Sequence, residues 1–193
     1  MHKKIVVGVA GMPGSGKATA EQLFREKGYP IVVMGDEVRL EAESRNLEPT
    51  PENVGRVMLE IREEEGPAVL AKMCIPKIRG ANSEIVVVDG VRSPQEWDEF
   101  REALKSFFLI AIHASPKTRF KRLLRRKRSD DPSDWQTFIA RDRRELRVGL
   151  GDVIATADYL VVNERTKSHL HKDLEKILQR VIEDERCYNR GQG

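Results

Sequence analysis

The chain has 193 residues, of which 39% are hydrophobic, 6% aromatic and 34% charged, the size and composition of one globular domain with a sizeable core rather than of two domains or a disordered tail. Lysine plus arginine number 34 and aspartate plus glutamate 31, so the net charge of +3 excludes a polycationic nucleic-acid coat as the whole account. No run approaches the roughly 18 apolar residues of a membrane span, and Met1-His2-Lys3-Lys4 before Ile5 lacks the long apolar run and cleavage site of a signal peptide; a cytoplasmic protein without a membrane partner is expected. Cys74 and Cys187 show no CxxC spacing, so neither a zinc site nor a disulfide framework is expected. The charge is unevenly spread. Residues 1–100 carry 13 basic and 17 acidic side chains, residues 101–193 carry 21 and 14.

In chain order, apolar β-branched runs predict buried strands at Ile5 to Ala10, Ile31 to Met34, Ile85 to Val88, Phe107 to Ile112 and Tyr159 to Val162. Uninterrupted runs of this kind suit parallel strands covered on both faces. Helix-start chemistry stands between them: Thr50-Pro51 before Val54, Val57, Met58 and Ile61, Ser93-Pro94-Gln95-Glu96 with the elements of a capping box, and Ser115-Pro116. The segment from Asp36 to Gly80 reads as largely helical, Trp97, Phe100 and Leu104 read as core, and residues from about Cys187 onward read as a frayed polar end. Alternating strands and helices predict a three-layer α/β domain spanning residues 1–193, with a five-stranded parallel sheet and right-handed crossovers.

Directly after the first strand stands Gly11-Met12-Pro13-Gly14-Ser15-Gly16-Lys17-Ala18-Thr19, followed by helix-forming residues. A strand, a G-x-x-x-x-G-K loop and a helix form a phosphate cradle: glycines let backbone N–H groups converge on phosphate oxygens, the helix presents its positive end, and Lys17 reaches the terminal phosphates. The position after the lysine is Ala18, where a serine or threonine hydroxyl normally ligates magnesium, and Thr19 is about 100° further round the helix. The metal is then held by phosphates and waters, or its handling is weakened. Asp89, closing the valine run of the third strand, is the metal candidate through water; its alternative is a cap on the turn that follows. Gly90 follows it where ATPase motors carry a water-polarising glutamate, which favours transfer to a bound acceptor over hydrolysis.

The loop form and the strand ends together resemble the nucleoside-monophosphate-kinase-like branch of P-loop proteins, with similarity to dephospho-CoA kinase and adenylate kinase and above all to an archaeal family related to them. The segments concerned are Gly35-Asp36-Glu37-Val38-Arg39, Asp89-Gly90-Val91-Arg92 and Ala157-Asp158-Tyr159-Leu160-Val161-Val162-Asn163, and the likeness spans nearly the whole length. It implies an adenylate-kinase-like P-loop fold with a small helical lid, ATP and Mg2+ as cofactors, and a small phosphorylated or nucleotide-like acceptor, dephospho-CoA or a nucleoside monophosphate. Residues 36–80 would then form the acceptor side and about 122–147 the lid.

Several residues carry the transfer in this reading. Asp36 takes a proton if the acceptor is an alcohol, and is otherwise a helix cap. Arg39 and Arg92 grip the acceptor's anionic group or are solvated surface arginines. Lys117 to Arg128 hold eight basic residues and no acidic one. Arg122 and Arg126, four apart on one helical face, match the two arginines that open the lid in the resembled kinases, Asp130-Asp131-Pro132-Ser133 forms its turn, and Arg141, Arg143, Arg144 and Arg147 return opposite. Such arginines neutralise charge on the transferring phosphoryl group; the rival readings are a solvated charged face and a strip for nucleic acid. The sparse aromatics nearby, Phe120 and Trp135, argue against nucleic acid as the partner. The class alternative to a kinase is a nucleotide-dependent regulatory or RNA-binding ATPase without a metabolite acceptor. His113, His169 and His171 lack metal-ligand spacing.

Overall fold

A computed structural model describes residues 4–48, 50–128 and 131–190. Among them the order is β1 (Ile5–Ala10), α1 (Lys17–Glu26), β2 (Ile31–Val33), α2 (Met34–Ser44), α3 (Pro51–Glu65), α4 (Val69–Gly80), β3 (Ile85–Asp89), α5 (Pro94–Ala103), β4 (Phe107–His113), α6 (Pro116–Arg126), α7 (Trp135–Val148), α8 (Leu150–Ala155), β5 (Tyr159–Val162) and α9 (Lys167–Arg190). The strands form one parallel sheet in the order β2-β3-β1-β4-β5. Pairing Val9 with Asp89 and with Ile110 brings the ends of β1, β3 and β4 to one edge, so the loop after β1 and the residues after β3 open into the same crevice. That is the carboxyl edge of the sheet, where ligands of open α/β folds bind.

Two apolar layers sandwich the sheet. On one face Val7, Val9, Val87, Ile110 and Ile112 pack on Ala20, Leu23 and Phe24 of α1 and on Leu170, Leu174, Leu178 and Val181 of α9. On the other, Val6, Val86, Val88 and Leu109 pack on the helices from α2 to α5 and on α8. Both faces are thus covered at β1, β3 and β4, as the unbroken runs require, whereas the edge strand β5, expected to be buried, exposes Leu160 and Val162, and the other edge strand β2 is half-buried. The expected starts hold: Thr50 caps α3 through Asn53 N, Ser93 and Glu96 form a reciprocal capping box on α5, and Ser115 caps α6 through Thr118 N. Phe100 and Leu104 are buried and Trp97 packs against them from the rim.

Three expectations change. β2 ends at Val33 because Met34 already begins α2, so Asp36 lies in the first turn of a helix whose cap position is Val33, and the capping alternative for Asp36 falls. α9 runs to Arg190, so the expected frayed end from Cys187 is helical at least that far. Asp130 of the expected lid turn lies outside the described residues. α6 and α7 carry a small core of their own in which Phe120, Trp135 and Phe138 meet with ring centroids 5.0–5.4 Å apart. Among the described residues no helix is long and apolar enough to cross a membrane.

Candidate active site

The glycine-rich loop is shaped by what lies behind it. Gly16 caps α1 in the left-handed region (φ 118°), and a Cβ there would stand 2.3 Å from the Asn163 amide nitrogen; at Gly14 (φ 80°) it would stand 2.8 Å from the carbonyl oxygen of Arg119. Only glycine fits either place. Side chains from distant elements hold the loop's carbonyls: Arg119 Nη1 donates to Pro13 O (3.2 Å), Asn163 Nδ2 to Ser15 O (2.7 Å) and Arg122 Nη1 to the same oxygen (3.2 Å). With those carbonyls engaged from behind, the loop presents amide N–H groups and the start of α1 to the crevice, an arrangement suited to an anion. Met12 and Ser15 turn their side chains inward and contribute backbone alone. Gly11, Pro13, Gly14, Gly16, Lys17, Ala18 and Thr19 line the cleft.

Lys17 Nζ donates to Gly11 O at 2.7 Å. Burial holds its ammonium below the ordinary lysine range, against the pull of Asp89. Asp89 is itself pushed up, mainly by burial, with Lys17 opposing; its Oδ1 is buried without a hydrogen-bond partner. Beside it stands a carboxylate that sequence reasoning missed. Glu21 lies one helical turn beyond Lys17 on α1, lines the cleft, and is raised by burial and by its contact with Asp89. The i, i+4 spacing from Lys17 was the available signal. Two carboxylates offering hard oxygen donors beside Lys17, one oxygen unpartnered, fit a magnesium ion in a loop where Ala18 supplies no hydroxyl.

The cleft measures about 760 Å³. Among the described residues its lining carries ten arginine and lysine side chains and three carboxylates, Glu21, Asp89 and Glu145. From α6, Arg122 also bonds Asn163 O (2.9 Å), and burial lowers its pKa. Arg126 donates through Nε to Asp131 (2.9 Å), and Arg141 approaches the same carboxylate at 3.6 Å. The Asp131 side chain is 3% exposed and is held well below the usual carboxylate range by Arg126. Asp131 thereby gathers Arg126 and Arg141, 15 positions apart, both of which line the cleft. α7 is fixed from beneath by a buried pair: Arg119 grips Asp142 with both terminal guanidinium nitrogens, lies over the Phe138 ring at 4.9 Å and donates through Nε to Ala114 O. Arg119, read as one of a basic strip, is therefore a buried bolt between the loop, α6 and α7.

From α2 and from the turn after β3, Arg39 and Arg92 line the cleft and Asp36 does not. The Asp36 side chain is 57% exposed and pairs with Arg39 three residues on, so it stands as the partner of that arginine at the cleft mouth. Arg92 is aimed by a fully buried carboxylate. Glu96 accepts from Arg92 N (2.8 Å), from Ser93 N and from Arg62 Nη2 (2.6 Å), which fixes the turn after β3 against α3. The Arg92 guanidinium reaches Glu145 of α7 at 3.3 Å across the cleft.

The AAA domain family matches residues 10–139. A UPF0200 protein of Pyrococcus horikoshii is 44% identical over 182 residues, covering 92% of this chain and 98% of that protein. Among solved structures, TT1252 from Thermus thermophilus superposes with a TM-score of 0.66 at 17% identity, covering 92% and 98% of the two chains. A shikimate kinase from Bacteroides thetaiotaomicron gives 0.59 at 14%, covering 91% and 98%. At these identities the structural likeness concerns the fold, a P-loop kinase fold with a five-stranded parallel sheet.

Proposed function

Because the chain belongs to the UPF0200 family of P-loop proteins, we propose that it is an ATP-dependent phosphotransferase acting on a small anionic acceptor. The observation that carries this reading is the charge of the cleft: cationic side chains line it from the loop (Lys17), through the lid side (Arg122, Arg126, Arg141), to the acceptor side (Arg39, Arg92). One polyphosphate does not need cations at both ends. A donor nucleotide and an anionic acceptor do.

In this account the loop amides and Lys17 bind and orient the β and γ phosphates. Asp89 and Glu21 would hold magnesium, which would offset the negative charge of the bound phosphates. Arg126 and Arg141, gathered by Asp131, face the transferring group and supply the electrostatic stabilisation that dominates this chemistry. Arg122 braces the loop through Ser15 O. Arg39, steadied by Asp36, and Arg92, aimed by Glu96, hold the acceptor's anionic group. Dephospho-CoA and nucleoside monophosphates are the leading acceptors, and the fold likeness to a shikimate kinase adds support for a small-molecule acceptor.

The test is ADP formation from MgATP across dephospho-CoA, the nucleoside monophosphates and simple alcohols, with Lys17→Ala as control. The reading expects at least one acceptor to raise turnover tenfold or more in the wild type alone. No acceptor stimulation above that control would remove it.

A further inference from the structure

The cleft contains a third carboxylate, Glu145, which was not among the sequence candidates. Glu145 is four residues beyond Arg141 and seven beyond Phe138 on α7, so it shares the inward face of a helix whose Phe138 and Asp142 are buried. Its side chain is 17% exposed, lines the same cleft as Lys17, and meets the Arg92 guanidinium at 3.3 and 3.4 Å. Arg92 follows Asp89 by three residues at the end of β3, and Asp89 is in register with Val9 at the approach to the loop. Glu145 therefore stands across the cleft from the phosphate loop, and its charge acts on Lys17. Asp36, the sequence candidate for this role, is exposed, bound to Arg39 and outside the cleft lining.

A carboxylate facing the acceptor discriminates between the two acceptor classes. An incoming phosphate would meet it as a like charge, which disfavours both groups ionised at close range. An incoming hydroxyl would find a hydrogen-bond acceptor and a destination for its proton. We propose that Glu145 receives the proton of a hydroxyl acceptor, so that this cleft phosphorylates an anionic alcohol and, when the acceptor is absent, water. The inference rests on the phosphotransferase reading above and narrows it. In the step, the acceptor O–H bond breaks and its proton passes to Glu145, and the oxygen forms a bond to the γ phosphorus. The bond from that phosphorus to the β,γ-bridging oxygen breaks, with the electron pair leaving on ADP. With water as acceptor the products are ADP and inorganic phosphate, and Glu145 returns its proton to solvent. Arg92 keeps the carboxylate turned into the cleft.

Water is the probe, because it needs no knowledge of the natural acceptor. Phosphate release from MgATP alone is measured for the wild type, Glu145→Gln and Lys17→Ala, with MgADP affinity and thermal unfolding recorded for each. The glutamine keeps an oxygen for Arg92 but takes no proton. The wild type is expected to release phosphate in a Lys17-dependent manner, with Glu145→Gln lowering kcat about 100-fold while MgADP affinity and the unfolding temperature stay at wild-type values. A Glu145→Gln variant retaining more than half the wild-type rate would show that Glu145 only positions Arg92, and would overturn the proposal. So would a wild type that releases no phosphate, or a nucleoside monophosphate phosphorylated equally by both proteins. Lys17-dependent turnover indifferent to Glu145 removes this inference alone; absence of Lys17-dependent turnover with every acceptor removes the phosphotransferase reading as well.

Discussion

Replacing Asp142 by alanine should both destabilise the protein and loosen its phosphate loop. Arg119 is 4% and Asp142 10% exposed in their side chains, and the arginine has four partners: the carboxylate, Ala114 O, Pro13 O and the Phe138 face. Removing the carboxylate strands a buried guanidinium, and breaking a buried pair in this way costs about 3–5 kcal/mol. For a domain of this length each kcal/mol lowers the unfolding temperature by about 2–4 °C, so a loss of about 6–20 °C is expected. The double variant Arg119→Met with Asp142→Leu leaves no charge stranded and should recover part of that loss. It also leaves Pro13 O without its donor, so MgADP affinity should stay at least fivefold below wild type even where stability returns. Thermal unfolding and calorimetric MgADP titration read the two effects separately. An Asp142→Ala protein melting within about 2 °C of wild type, or a double variant with full MgADP affinity, would refute the reasoning.

Two further predictions follow from the loop. Gly14→Ala places a Cβ 2.8 Å from the backbone oxygen of Arg119 at a φ of 80°, so MgADP affinity should fall tenfold or more, and a binding titration matching wild type would contradict the cradle described. The carboxyl groups of Glu21 and Asp89 are both raised by burial, and Glu21 also by its neighbour. The folded chain therefore holds more protons than the unfolded chain between the ordinary carboxylate range and the raised values, and stability of the nucleotide-free protein falls as pH rises through that window. Above the window the penalty is complete. Glu21→Gln removes much of it, so the variant should melt a few degrees higher than wild type at about pH 7 and level with it at about pH 4. Equal melting at the higher pH would contradict the pairing of these carboxylates.

The fold was legible because its signals are local. Unbroken β-branched runs marked all five strands, and proline with serine or threonine marked the starts of α3, α5 and α6. The phosphate loop was legible for the same reason, since nine consecutive residues carry it. The residues that were missed are tertiary. Asn163 lies 148 positions from the Ser15 carbonyl it holds, and Arg119 lies 106 from Pro13. In sequence Arg119 is indistinguishable from the seven other cations around it; only the arrival of Asp142 on α7 makes it structural. Asp36 shows the converse. A strand-end aspartate suggested a base, but β2 stops at Val33 and the helix that begins there turns Asp36 to solvent, whereas α7 carries Glu145 into the cleft. Glu21 and Glu145 each lie four residues from a cation already singled out, Lys17 and Arg141, so helical spacing alone could have nominated them.

The most direct test of the account follows the γ-phosphoryl group itself. MgATP labelled at the γ-phosphorus is incubated with the wild type or Lys17→Ala and with the acceptor panel, and the products are separated. The account predicts label on an anionic alcohol, formed by the wild type and absent with Lys17→Ala. Label that remains on ATP or passes only to inorganic phosphate whatever acceptor is present, or transfer that survives the loss of Lys17, would contradict it.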